Sequence, residues 1–565
     1  MQKKWWMESV GYQIYPKSFY DHNDDGIGDL KGIIAKLDYL NDLGVNLLWI
    51  CPFYDSPMDD NGYDVRNYFD VSEAFGTMED VHELIKEAHQ RNIKIVLDYV
   101  LNHTSDEHPW FIESRKNKDN PYRDYYIWHD GKIVDGQKVE PTNWGSFFGG
   151  SAWAYDETSD AYYMKIFSPK MPDLNWKNQA VQEAMIKVAK TWLDWGVDGF
   201  RIDAVSHLDR APFEDAIAKP GEKYPLDWYK FSNLPKVHDY LKTLNKEVFS
   251  VYDCVAIGEV GGSASIEAGL TYSAFDSQEL SMVFNFDHNW CNNLDQVISA
   301  KKLKTHVKDL KNVFNGWQQA FATKGWLPLN WLNHDQPRLM SQYGDYKYPL
   351  ASGKMLATAL HFMRGTPFIY QGEEIGMTNF PFDDVSQFND VSSIASYRYH
   401  LEQEPDDPVK ALKKTALRSR DNPRTAMQWS KEAYAGFSAV KPIPLVNPNY
   451  KKINVENQLK DQNSLFHHYQ KLIQLRRFSQ YHDIITWGTF EMLDTSDELY
   501  VYLRRYDDDT LLVVNSFSRK KQTFNLAGFD VLDVIISNQK TYEIKQKTLH
   551  LKPYESIVFK VKENL

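Results

Sequence analysis

Four short strings set carboxylates directly behind apolar runs: DYVLNHTS at 98–105, FRIDAV at 200–205, IGEV at 257–260 and NHDQPR at 333–338. They supply Asp98, Asp203, Glu259 and Asp335, with His103, Arg201 and His334 close by. Any one Asp at a strand end is more often a helix cap or a turn residue. Several carboxylates converging on one cleft would repel each other and resist desolvation, so a functional role is the better explanation for the set. Arg201 and Asp203 are two residues apart and on a strand face the same side, where the cation would keep the carboxylate ionised.

A second oxygen-rich string, DHNDDGIGDL at 21–30, begins as a calcium loop does. Oxygen donors fall at alternate positions and Gly26 sits where the sharp turn is needed. Position 12 is Gly32, which has no side chain to close an EF-hand, and a strand precedes the loop where a sensor needs a helix.

The elements that must position these residues follow from the apolar pattern. Apolar runs alternate with amphipathic stretches such as MEDVHELIKEAHQRN, the signature of βαβ units and a parallel sheet. Eight strands can be counted from Val10: VGYQIYP, VNLLWICP, IKIVLDYV, VDGFRIDAV, CVAIGEV, MVFNFD, LNWLNHD and PFIYQGEE. Eight is the number for a (β/α)8 TIM barrel, an α/β fold whose working residues sit at the C-terminal ends of the strands. On this count Asp98 ends strand 3. The alternation lapses between 104 and 170, which reads as a long irregular insertion. It gives way after about residue 480 to strands separated by turns with no helices, an antiparallel β domain.

Bulk properties narrow the partners. A net charge of −13 argues against nucleic acid and anionic membrane surfaces. No apolar run reaches membrane-spanning length, and MQKKWWMESV does not read as a signal peptide. Three scattered cysteines suit a reducing cytoplasm. The 14% aromatic content can fill a core or build sugar-stacking platforms. A monomer is the default oligomeric state.

The four carboxylate strings, in this order and spacing, resemble the signature regions of glycoside hydrolase family 13, the alpha-amylase clan. YQIYPKSFYDHNDDGIGDLKGI, QGEEIGMTN and RSRDNPRTAMQW resemble its oligo-1,6-glucosidase and alpha-glucosidase branch. The resemblance implies a catalytic barrel (1–103 and 171–480), a B domain inserted after strand 3 (104–170) and a C-terminal β-sandwich domain (481–565). It implies a small oligosaccharide substrate, Asp203 as nucleophile, Glu259 as acid/base and Asp335 as the third carboxylate, gripping the sugar hydroxyls. Retaining chemistry of this kind needs the two reacting carboxyl groups about 5–5.5 Å apart. His103 and His334 would donate to the same sugar. Asp60 and Tyr63 in DDNGYDV would close the pocket with Arg420, and Phe167 would line it. A structural calcium, or magnesium, would be held by Asp21, Asn23, Asp25, the Ile27 carbonyl and Asp29.

Three departures from the branch bear on linkage. Ala204 follows the nucleophile where 1,6-acting relatives usually have Val. Ser392 stands where many have Glu, and Met171 opens MPDLN in place of QPDLN. They favour α-1,4 or mixed linkages, with oligo-1,6-glucosidase activity as the alternative. Trehalose-6-phosphate hydrolases and sucrose isomerases share the scaffold, but no phosphate-binding cluster and no RLDRD-type stretch is seen here. Transporter-associated heavy chains share the fold but have damaged catalytic positions and a membrane anchor.

Overall fold

The computed structural model describes residues 2–261 and 264–564. Eight parallel strands form one sheet: β1 Gly11–Ile14, β2 Leu47–Ile50, β3 Lys94–Val100, β4 Gly199–Asp203, β5 Val255–Glu259, β6 Met282–Phe284, β7 Pro328–Leu329 and β8 Thr366–Tyr370. Their order is β6-β5-β4-β3-β2-β1-β8-β7, and β6 lies beside β7, so the sheet curls into a nearly closed barrel.

The two-residue period of a strand sorts the side chains. Leu48, Ile50, Ile95, Leu97, Phe200 and Ile202 point outward into the core shared with the helices. Leu47, Trp49, Val96, Val255, Ile257 and Phe284 point inward and fill the barrel. Two residues further along the inward face come the polar groups. Register sets Asp98 beside Arg201, and Asp203 one pleat further on. On its other side β4 lies close to β5 because residue 199 is a glycine: a Cβ there would lie 2.2 Å from the Val255 carbonyl.

Two strands differ from their sequence reading. β3 runs on to Val100, so Asp98 lies inside the strand, fully buried, where the expectation had it at the end. β7 stops at Leu329, and the chain carrying His334 and Asp335 peels away from the sheet, with the Asn333 side chain accepting from the Asp335 N–H at 2.8 Å.

The stretch read as irregular contains a three-stranded antiparallel sheet (Trp128–His129, Trp153–Asp156, Ala161–Met164) and a hairpin (Lys132–Val134, Gln137–Val139). Its core of Trp144, Trp153 and Met164 also takes in Phe231 from an excursion after β4 that sequence reading did not foresee.

The C-terminal region stacks a five-stranded on a three-stranded antiparallel sheet. On Leu499–Tyr506, Leu499, Val501 and Leu503 face the three-stranded sheet while Tyr500 and Tyr502 face the barrel. A short helix, His482–Trp487, precedes these strands where none was expected. Among the described residues, no helix is long and apolar enough to cross a membrane.

Candidate active site

Arg201 is the centre of the first charge cluster. It is buried at the end of the barrel core and donates to three carboxylates: Asp98, Asp203 (2.8 Å) and Glu259. Asp98 also accepts from the Trp49 indole at 2.7 Å. One cation cannot offset three buried anions. Burial pushes Asp203 up to about 6 against the pull of Arg201, Asp98 likewise to about 6, and Glu259 to about 7. The neighbouring charges of Asp203 and Asp335 add to burial in raising Glu259, so Glu259 keeps its proton to a higher pH than Asp203 does. That gives two neighbouring carboxyl groups with different protonation states, one fit to attack and one fit to donate a proton. Directly after Asp203 the backbone of Ala204 bends into the left-handed region (φ 45°, ψ 35°), a conformation that costs about 1–3 kcal/mol and recurs at working sites.

A second cluster lies across the cleft. Asp335 accepts from Arg420 Nε at 2.9 Å and from Arg424 Nη2 at 2.6 Å. Arg424 also donates to Asp390 at 2.8 Å, and Arg420 lies 3.6 Å from both Asp390 and Asp60. Burial opposes ionisation of Asp335 too, but Arg420, His334 and Arg424 outweigh it and hold the group far below the usual carboxylate range. Among the described residues, one buried Asp60 oxygen accepts no hydrogen bond, and burial pushes the group up to about 6 despite Arg420.

These clusters face one cavity of about 430 Å3 lined by Asp60, Tyr63, His103, Phe167, Asp203, Glu259, Asp335 and Arg420. Burial holds His103 neutral, its pKa near 3, and its Nε2 has no hydrogen-bond partner among the described residues. Phe167 stacks on Phe147 at 5.1 Å and meets the His103 ring edge-on. His334, expected to donate to the sugar, is not among the residues that line the cavity. His334 lies behind the wall, its ring stacked on Tyr63 at 5.4 Å and its nitrogens engaged by the Tyr63 hydroxyl (2.7 Å) and the Gln13 amide (2.8 Å). Arg201 likewise sits behind the lining residues. Ala204 and Met171 line the cavity; Ser392 does not.

Sequence reading missed Arg424, Asp390 and a rim of aromatics that includes Phe147, Phe148, Trp228 and Trp290. A signal for Arg424 was present, four residues after Arg420 in the same string. Asp390 was masked by its other job, since its Oδ1 caps the helix Val391–Gln403.

The loop at 21–30 has the donor types a hard cation takes, but its oxygens serve its own backbone. Asp21 accepts from the Asp24 and Gly26 N–H groups, Asp25 from Ile27, and Asp29 from His22, Asn23 and Gly32. The Asn23 amide donates to Asp25 at 3.0 Å. Among the described residues, no group of three or more His, Cys, Asp or Glu is gathered as a metal centre.

Residues 13–488 match the family model for the alpha amylase catalytic domain, and residues 499–558 match that for the alpha-amylase SusG C-terminal domain. An oligo-1,6-glucosidase of Parageobacillus thermoglucosidasius is 47% identical over the full length of both chains. An alpha-glucosidase of Pediococcus pentosaceus is 42% identical over 99% of each. The crystal structure of Bacillus licheniformis trehalose-6-phosphate hydrolase superposes with a TM-score of 0.90 at 42% identity, covering 99% of this chain and 100% of that one. A carboxylate-lined barrel pocket and full-length similarity of this order lead to the same conclusion: the chain is a glycosidase belonging to the alpha-amylase family, glycoside hydrolase family 13.

Proposed function

We propose that the protein is a retaining, exo-acting α-glucosidase that releases α-glucose from the non-reducing end of short α-glucosides. The observation that carries this reading is the single guanidinium of Arg201 bridging Asp203 and Glu259, which puts a carboxylate and a carboxylic acid side by side in one cavity. Asp203 attacks the anomeric carbon as Glu259 gives its proton to the leaving oxygen. The glycosidic bond breaks, and a glucosyl ester forms on Asp203. Glu259, now ionised, takes a proton from water, whose oxygen displaces Asp203 and restores the starting anomer. Asp335, fixed as an anion, accepts hydrogen bonds from sugar hydroxyls, and neutral His103 donates one. Arg420, between Asp60 and Asp335, closes the far end of the cavity, which supports removal of one glucose at a time.

For linkage we favour α-1,4 or mixed bonds, because Ala204 and Met171 both border the cavity. The second reading is cleavage of isomaltose-type α-1,6 bonds, which relatives named oligo-1,6-glucosidase favour. A methyl-sized difference beside the aglycone shifts selectivity by about 1–3 kcal/mol. Rates on maltose and isomaltose side by side decide the point: the preferred reading expects maltose to equal or exceed isomaltose, and a wide margin for isomaltose overturns it. Anomeric NMR of fresh product should show α-glucose first; an initial β signal refutes retention.

We read the 21–30 loop as a structural calcium clip in which the ion replaces the loop's internal hydrogen bonds with Asp21, Asn23, Asp25, the Ile27 carbonyl and Asp29. Chelation should then lower the thermal midpoint by a few degrees, on the order of 1–2 kcal/mol, with little change in turnover at 25 °C. An unchanged midpoint rules the clip out. The three buried, unpaired cysteines support a cytoplasmic setting.

A further inference from the structure

A second cavity, about 440 Å3, opens where the inserted segment meets the barrel and the excursion after β4. It shares no lining residue with the catalytic cavity and equals it in volume. Its walls are Ile127, Trp176, Leu208 and Phe213, and its polar groups carry both signs. Arg123 lies 3.8 Å over the Trp128 ring, and Lys118 pairs with Asp130. Two polar atoms here are left over. Asp209 is 8% exposed, yet among the described residues its Oδ1 accepts no hydrogen bond, with Lys177 Nζ 3.8 Å away. The Trp128 indole N–H is buried and has no acceptor among the described residues.

An unused acceptor and an unused donor in a roomy cavity call for a ligand that offers both. Lys118, Arg123, Lys177 and Arg210 are nearly balanced by Asp124, Asp130 and Asp209, which disfavours an anion such as phosphate. A divalent cation is disfavoured by the same lysines and arginines. A neutral polyol fits: its hydroxyls donate to Asp209 and accept from the indole and the cations, while its C–H face lies on Phe213. We propose that this cavity is a second, non-catalytic binding site for a short α-glucoside. The proposal is independent of how the catalytic cavity selects linkage.

The test is calorimetric titration of maltose into the full chain carrying Asp203→Asn, which prevents consumption of the sugar. Two equivalents should bind. Adding Phe213→Ala, with the retained fold checked by circular dichroism because the ring also packs on Trp144 and Trp153, should remove one of them. Adding Asp209→Asn should weaken that equivalent about tenfold while the other is untouched. In the otherwise wild-type enzyme neither substitution should alter kcat on maltose. One equivalent that disappears with Phe213→Ala also supports the site, and would count against maltose binding in the catalytic cavity instead. One equivalent that survives both substitutions overturns the proposal and leaves the catalytic reading intact. Two equivalents that both survive place the extra sugar elsewhere and overturn it as well.

Discussion

The two sides of the catalytic cleft use the same residue types in different proportions. Around Arg201, one guanidinium faces Asp98, Asp203 and Glu259. Around Asp335, two guanidiniums, Arg420 and Arg424, face Asp60, Asp335 and Asp390. Where cations are scarce, burial wins and the carboxyls titrate near neutrality. Where two cations bond one carboxylate, Asp335 is held ionised against the burial around it, with 26% of its side chain still exposed. Thus direct bonding by two arginines sets Asp335 apart as a permanent anion; Asp60, in the same cluster but 3.6 Å from Arg420, is still pushed up to about 6.

The largest expected effect comes from emptying the first cluster. Asp203→Ala should reduce kcat by about 10^4-fold or more with the fold retained by circular dichroism. Retained turnover would remove Asp203 as nucleophile. Next comes making the two sides alike. Arg424→Ala leaves Arg420 alone with three carboxylates, the ratio found around Arg201. Leaving buried charges unpaired should cost about 3–5 kcal/mol of stability, read by urea unfolding, and Asp335 should rise toward the ordinary carboxylate range. Unchanged stability would mean that the second arginine does not set the difference. The smallest effect is that of chelation on the remote first loop, described above.

These two clusters were unequally legible in the sequence. Strand periodicity made Arg201, Asp203 and Glu259 readable, because residues two apart on an inward face must project into the same space. The barrel and the β domain after it were readable for the same reason. The Asp335 side is built from chain that leaves the sheet, so no period announces it. Asp390 sits in a helix cap and Arg424 in a turn-rich string, and only the fold brings them to Asp335. His334 was identified, but its residue type cannot reveal that Tyr63 and Gln13 engage its nitrogens. The excursion that supplies Phe231 and Phe213 carries neither helical nor strand periodicity, so the second cavity had no sequence signature.

The pH dependence of kcat/KM tests the central claim most directly. Asp203 must lose its proton to attack, so activity should rise as pH passes about 6. Glu259 must keep its proton to donate it, so activity should fall as pH passes about 7. The limbs belong to the pair, because each group senses the other. With a nitrophenyl α-glucoside, whose leaving group needs no proton, Glu259→Gln should flatten the alkaline limb of the glucosylation step and leave the acid limb in place. An alkaline limb that persists in Glu259→Gln would contradict the assignment of the proton to Glu259, and with it the account of how one arginine divides the two roles.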